Sequence, residues 1–195
     1  MTADIANIIK PYLLTLPFAD TVAGLVKTAI IEDEVDGKLF KKSFPISCDV
    51  TYTDCIKGKY TNLVPNKSKK SIMYFEDGGS SITDVGVTNF SFQTKLKLIG
   101  WLNLAKLGKE NCSLSALALA HVMKVLPVGY QNTGMFQRLR IFEISQDIKS
   151  NAIFSKYSYK EETVQYLMYP YDYFALNEVD RRVEESLTKA GLVSS

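Results

Sequence analysis

The stretch NFSFQTKLKLIGWLNL, residues 89–104, decides the architecture, because its side chains alternate in character for longer than those of any other segment. Phe90, Phe92, Leu96, Leu98, Leu102 and Leu104 share one parity, with Thr94 and Gly100 completing the series, while Ser91, Gln93, Lys95 and Lys97 open the other. Successive strand residues point to opposite faces, so this spacing predicts a β-strand with one apolar and one polar face. From residue 88 to 104 it would run roughly 50 Å at about 3.3 Å per residue, far beyond the common strand of about five or six residues. Ile99 and Trp101 interrupt the polar side, which predicts that this end is covered on both faces.

On the C-terminal side, Leu114, Leu117, Ala118, His121, Val122, Val125 and Leu126 recur at three- and four-residue spacing. That gathers them on one stripe of a helix over 113–126, with Ser113 as cap and Pro127 and Gly129 closing it. Residues 139–148 return to extended character, 157–168 suit a short helix, and 171–176 suit an aromatic-rich strand. Over 177–190, Asn177 as cap, acids in the first turn and the spacing of Val179, Val183 and Leu187 suit a helix. The same residues equally prolong the preceding strand.

On the N-terminal side, 4–15 reads as a short helix capped by Asp4, with Ile5, Ile8 and Ile9 on one face and Pro11 ending or bending it. Residues 21–31 and 39–50 read as two strands around an Asp36-Gly37 turn, with the acidic run from Glu32 to Asp36 on the loop. Residues 52–63 suit either a strand or an irregular connection. A second hairpin is expected at Asp77-Gly78-Gly79. Together these give one α+β domain over 1–195: a largely antiparallel sheet with one very long strand, packed by a central helix and a short N-terminal helix.

Composition narrows the function classes. The 195 residues are 46% hydrophobic and 23% charged, ordinary values for a globular chain that will bury a core. The net charge of +2 is too small to predict a nucleic-acid partner by bulk electrostatics. Residues 5–31 are apolar but broken by Lys10, Pro11, Pro17, Asp20 and Lys27, so neither a membrane span nor a signal peptide is expected. Cys48, Cys55 and Cys112 are too few for a disulfide scaffold and wrongly spaced for zinc, which points to reduced, packed thiols in a reducing cytoplasm.

Catalytic patterns are weak. His121 is the only histidine, and its place on the apolar stripe favours a partly buried structural role. Gly78-Gly79-Ser80-Ser81 lacks the spacing of a phosphate-binding loop and suits a turn. No nucleophile elbow occurs, and the carboxylates show no paired arrangement. Neither a catalytic residue, a metal site nor a cofactor is assigned, so the expected mode of action is association with other copies or other proteins. Lys57, Lys59, Lys67, Lys69 and Lys70 lie in a stretch without acids, residues 56–71. They suit a solvated loop or blunted sheet edge, or else contact with a nucleic-acid backbone once several subunits bring them together. Tyr157, Tyr159, Tyr166, Tyr169, Tyr171 and Tyr173, with Phe154 and Phe174, form an aromatic region that suits either the core or an interface.

The order of elements resembles that of tailed-bacteriophage neck proteins, of the tail terminator or tail-completion family. SIMYFEDGG at 71–79 and LMYPYDYF at 167–174 add to the resemblance. It implies a non-enzymatic virion protein, assembled in the host cytoplasm, whose ring of identical subunits caps the tail tube and joins it to the connector. The partners would be further copies of the chain, tail-tube and connector proteins and, without sequence specificity, packaged DNA. The long strand is then expected at intersubunit contacts, with Phe90, Phe92, Trp101, Tyr169, Tyr171, Tyr173 and Phe174 as interface candidates. Other classes stay open: another tail or connector subunit, or a cytosolic enzyme or small-ligand domain.

Overall fold

The computed structural model describes residues 2–35, 38–48, 60–85, 89–108, 115–125, 138–144, 153–154, 156–158 and 169–186. For 33, 35, 40, 80, 82–85, 89–94, 115–116, 138–144 and 177–186 the description is of the backbone. Of the expectation for 52–63 only 60–63 are described, where Thr61–Asn62 form a two-residue strand. Of the helix expected over 157–168 only Tyr157 and Ser158 are described, and they are not helical, Ser158 forming a β-bridge with Ser43.

The fold is α+β. Helix α1 (Thr2–Leu14) is followed by strands β1 (Thr21–Leu25), β2 (Lys27–Val35), β3 (Lys38–Ser47), β4 (Thr61–Asn62), β5 (Ser71–Val85) and β6 (Asn89–Asn103). Helix α2 (Ser115–Val125) and strands β7 (Arg138–Ile144) and β8 (Tyr171–Ser186) complete it. The main sheet has the order β1-β5-β6-β8-β7, and a second sheet the order β2-β3-β4. The main sheet is mixed, because β1 runs parallel to β5 while the other pairings are antiparallel. The long alternating stretch is β6, but no single strand stands out: β5 and β6 have 15 residues each and β8 has 16. Of the two alternatives over 177–190, the strand is the one formed, as far as Ser186: β8 pairs with β6 from Tyr171 to Asn177 and again from Arg182 to Ser186, across an irregularity between them.

Alternation along β6 places its residues as the sequence requires. Leu96, Leu98, Leu102 and Leu104 meet Met73 and Phe75 of β5, Leu176 of β8 and the two helices in one core. On the opposite face Ile99 and Trp101 join Ile72, Tyr74, Leu63 and Ala175 under a cover of Ile153, Phe154 and Tyr157. This end of the sheet is therefore buried on both sides. Gly100 and Phe174 are register partners. A Cβ on Gly100 would lie 2.2 Å from Cζ of Phe174, so the missing side chain makes the slot that the ring occupies.

Several expectations are corrected. Helix α1 starts at Thr2, so Asp4 sits in its first turn, and Pro11 lies inside it rather than ending it. An internal proline costs about 3 kcal/mol. Ile5, Ala6, Ile9 and Leu13 are buried on both sides of Pro11 along one stripe, and that packing holds the turn together. In α2 the expected Ala118 and Val122 are buried and Val125 packs partly buried against the same core, joined by Leu119, while Leu117 is 53% exposed and His121 exposed rather than partly buried. Alanine and leucine surround this helix on all sides, so its period was ambiguous.

Residues 21–31 divide between two sheets, because Val26 separates β1 from β2. Glu32, Asp33 and Glu34 lie within β2 and not on a loop. The hairpin itself forms as expected: Val35 pairs with Lys38, leaving two residues for the connection. The second hairpin does not turn at Asp77-Gly78-Gly79. Strand β5 runs through it, and two residues there oppose the single Lys95 of β6. This is a β-bulge with Gly79 at φ 96° and its N–H donating 2.8 Å to Oδ1 of Asp77. Cys48 is in a disulfide rather than a reduced thiol, and the chain's other cysteines, Cys55 and Cys112, lie outside the described residues.

Candidate interaction surface

The lysine stretch folds around an acid from elsewhere in the chain. Asn62 and Asn66 organise the connection from β4 to β5: Oδ1 of Asn62 accepts from the Val64 N–H at 2.8 Å, and Oδ1 of Asn66 from the Ser68 N–H at 2.9 Å. Such Asx contacts replace a regular ladder where polar turns leave the sheet. Asp20 then closes the loop, accepting from the Lys70 N–H at 2.8 Å and pairing with Nζ of Lys69 at 3.7 Å. Ser71 ties the same corner, its hydroxyl donating to the Phe18 carbonyl at 2.7 Å and accepting from the Asp20 N–H at 3.0 Å.

Of the five lysines, Lys57 and Lys59 lie outside the described residues, Lys69 is half-buried against Asp20, and Lys67 and Lys70 are exposed. The stretch without acids in sequence is thus not free of them in space. Asp20 is 50 residues from Lys70, a separation at which no sequence pattern announces the contact.

The aromatic candidates divide by burial. Trp101 and Phe174 are at most 1% exposed and give their area to the subunit's own core. Tyr171 stacks on Trp101 with ring centroids 5.0 Å apart, and Tyr173 meets Phe154 edge-on at 5.9 Å. Both tyrosines are half-buried. Tyr169, before a cis bond to Pro170, is 63% exposed. For Phe90 and Phe92 only the backbone, within β6, is described.

A polar group that the sequence did not reveal borders the second core. Glu76 is 7% exposed, and its Oε1 accepts a hydrogen bond from the Tyr157 hydroxyl and lies 3.8 Å from Nζ of Lys156. Next to it, Ser158 exchanges backbone hydrogen bonds with Ser43 at 3.1 and 3.0 Å. Residues 156–158 thereby fasten the second sheet to the first, and the carboxylate is the anchor of that clamp.

The β2–β3 hairpin exposes apolar area. Phe44 and Ile46 at its base are buried, but toward its tip Ile30 is 58%, Ile31 37% and Leu39 69% exposed. Ile30 and Ile31 are adjacent and so point to opposite faces, which leaves neither face of that part covered. Strand β2 ends its sheet, so among the described residues no strand pairs with its outer edge. Sequence alternation over 27–35 is poor, which is why this surface was hidden.

Among the described residues no group of three His, Cys, Asp or Glu side chains is placed to hold a metal ion. Among them, too, no helix is long and apolar enough to cross a membrane. Comparison with protein-family models, curated proteins and solved structures found no match for this chain.

Proposed function

We propose that the protein is a non-enzymatic structural subunit that works by joining copies of itself into a ring, of the kind that caps a phage tail tube and links it to the connector. The observation that carries the reading is the hairpin: exposed isoleucines on both faces, an exposed Leu39 and an outer strand edge that is unpaired among the described residues. An open apolar edge is a template for another chain, and proteins that keep one usually fill it by association. The resemblance to neck proteins supplies the kind of assembly. A disulfide at Cys48 suits a particle component, because such a bond persists outside the cell.

Imaging the purified protein by negative-stain electron microscopy tests the reading. Closed rings of one diameter are expected. Fields of single-chain particles at every concentration, also with tube or connector protein added, would reject it.

A further inference from the structure

We propose that neighbouring subunits join by edge-to-edge strand pairing, with the outer edge of β2 of one copy lying antiparallel on the outer edge of β7 of the next. This rests on the assembly reading above. Among the described residues each strand is terminal in its own sheet: β2 begins the order β2-β3-β4 and β7 ends the order β1-β5-β6-β8-β7. The two edges belong to different parts of one chain, so the contact is head-to-tail, the kind that forms a ring when its rotation closes.

Register is written in the two sequences. When β2 (KTAIIEDEV) runs against β7 (RLRIFEI), placing Glu34 opposite Arg138 brings Glu32 opposite Arg140. The same register sets Ile31 against Ile141 and Ile30 against Phe142. Opposite charges and paired apolar side chains directly across a ladder both favour pairing. A parallel arrangement with Glu32 opposite Arg138 and Glu34 opposite Arg140 would set Ile141 against Val35 and push Phe142 past the end of β2, so Ile30 and Ile31 would lose their partners.

Within the chain, Arg138 is the register partner of Arg182 and Arg140 that of Asp180, so of these two β7 positions only Arg140 has an acid directly opposite. Like charges directly opposite disfavour pairing. A strand bringing Glu34 to the outer side of Arg138 supplies the opposite charge that position lacks within the sheet. The Glu32–Lys41 ion pair at 3.4 Å within the hairpin is more than half exposed on both sides. It is worth too little to hold Glu32 away from a second cation.

A charge swap tests the contact on the full chain. Glu34→Arg alone and Arg138→Glu alone should each raise the concentration at which half the chains associate by roughly tenfold, followed by light scattering. Mixed one to one, the two variants should associate near the wild-type concentration, because each edge then meets a complementary one. In addition, Ile30→Cys with Phe142→Cys in one chain should give a ladder of oxidised multimers on a non-reducing gel, absent from either single variant. If the wild type associates but the swaps change nothing, or the mixture fails to recover and no ladder forms, this contact is wrong and the assembly reading stands. A wild type that never associates removes both.

Discussion

At Gly100 the chain gives up a side chain so that a ring 74 positions later can lie flat on the strand. Gly100→Ala forces Phe174 out of a slot with no spare room, and overpacking of this kind costs about 1–3 kcal/mol. The urea midpoint should fall with an unchanged slope; an unchanged midpoint would show that the slot is looser than 2.2 Å implies. Tyr157→Phe removes the hydroxyl that donates to buried Glu76 and should lower stability by about 1–3 kcal/mol at neutral pH. A loss within error would mean that Lys156 and water satisfy the carboxylate unaided. Thiol titration in denaturant should find one free thiol per chain, with two more appearing on reduction, since Cys48 is bonded. At this scale the sequence is least transparent. Gly100 read only as a gap in an apolar series, and neither Asp20 nor Tyr157 lies near its partner in the chain.

Elements with one dominant period were legible, and those with competing signals were not. Strand β6 was readable because alternation continued for most of its length, and the break at Ile99 and Trp101 correctly announced cover on the second face. Helix α2 was readable as a helix and in part in its facing, since Ala118, Val122 and Val125 turn to the core, but alanine and leucine on several sides blurred the edges of the stripe. Asp77-Gly78-Gly79 carries a turn signal because turns and bulges both need a residue at positive φ, and only the pairing across β6 separates them. Gly79→Ala at φ 96° should therefore destabilise by about 1 kcal/mol or more, seen as a lower thermal midpoint. The hairpin surface predicts the opposite pattern. Ile30→Ser with Leu39→Ser should leave the single chain's stability within about 0.5 kcal/mol, because neither side chain packs in the core. The same double variant should abolish association.

For the whole molecule, two sheets fastened by residues 156–158 present a closed core and an open hairpin, and the account of function follows from that contrast. The interface candidates read from sequence were chosen for aromatic density, which also marks a core, and Trp101 and Phe174 went to the core. Lys67 and Lys70 are exposed, and their contact with DNA phosphates in an assembled ring is a proposal open to test. Replacing Lys67, Lys69 and Lys70 by glutamine should then reduce DNA retention with rising salt while leaving ring formation intact; unchanged retention would remove DNA from the list of partners. Association through the hairpin is decided by the solution mass of the purified chain over a concentration series, measured by size exclusion coupled to light scattering. One chain should convert to a single larger closed species as concentration rises, and the mass ratio gives the number of subunits in the ring. A mass of one chain throughout, including at the highest concentration and with tube or connector protein added, would contradict it.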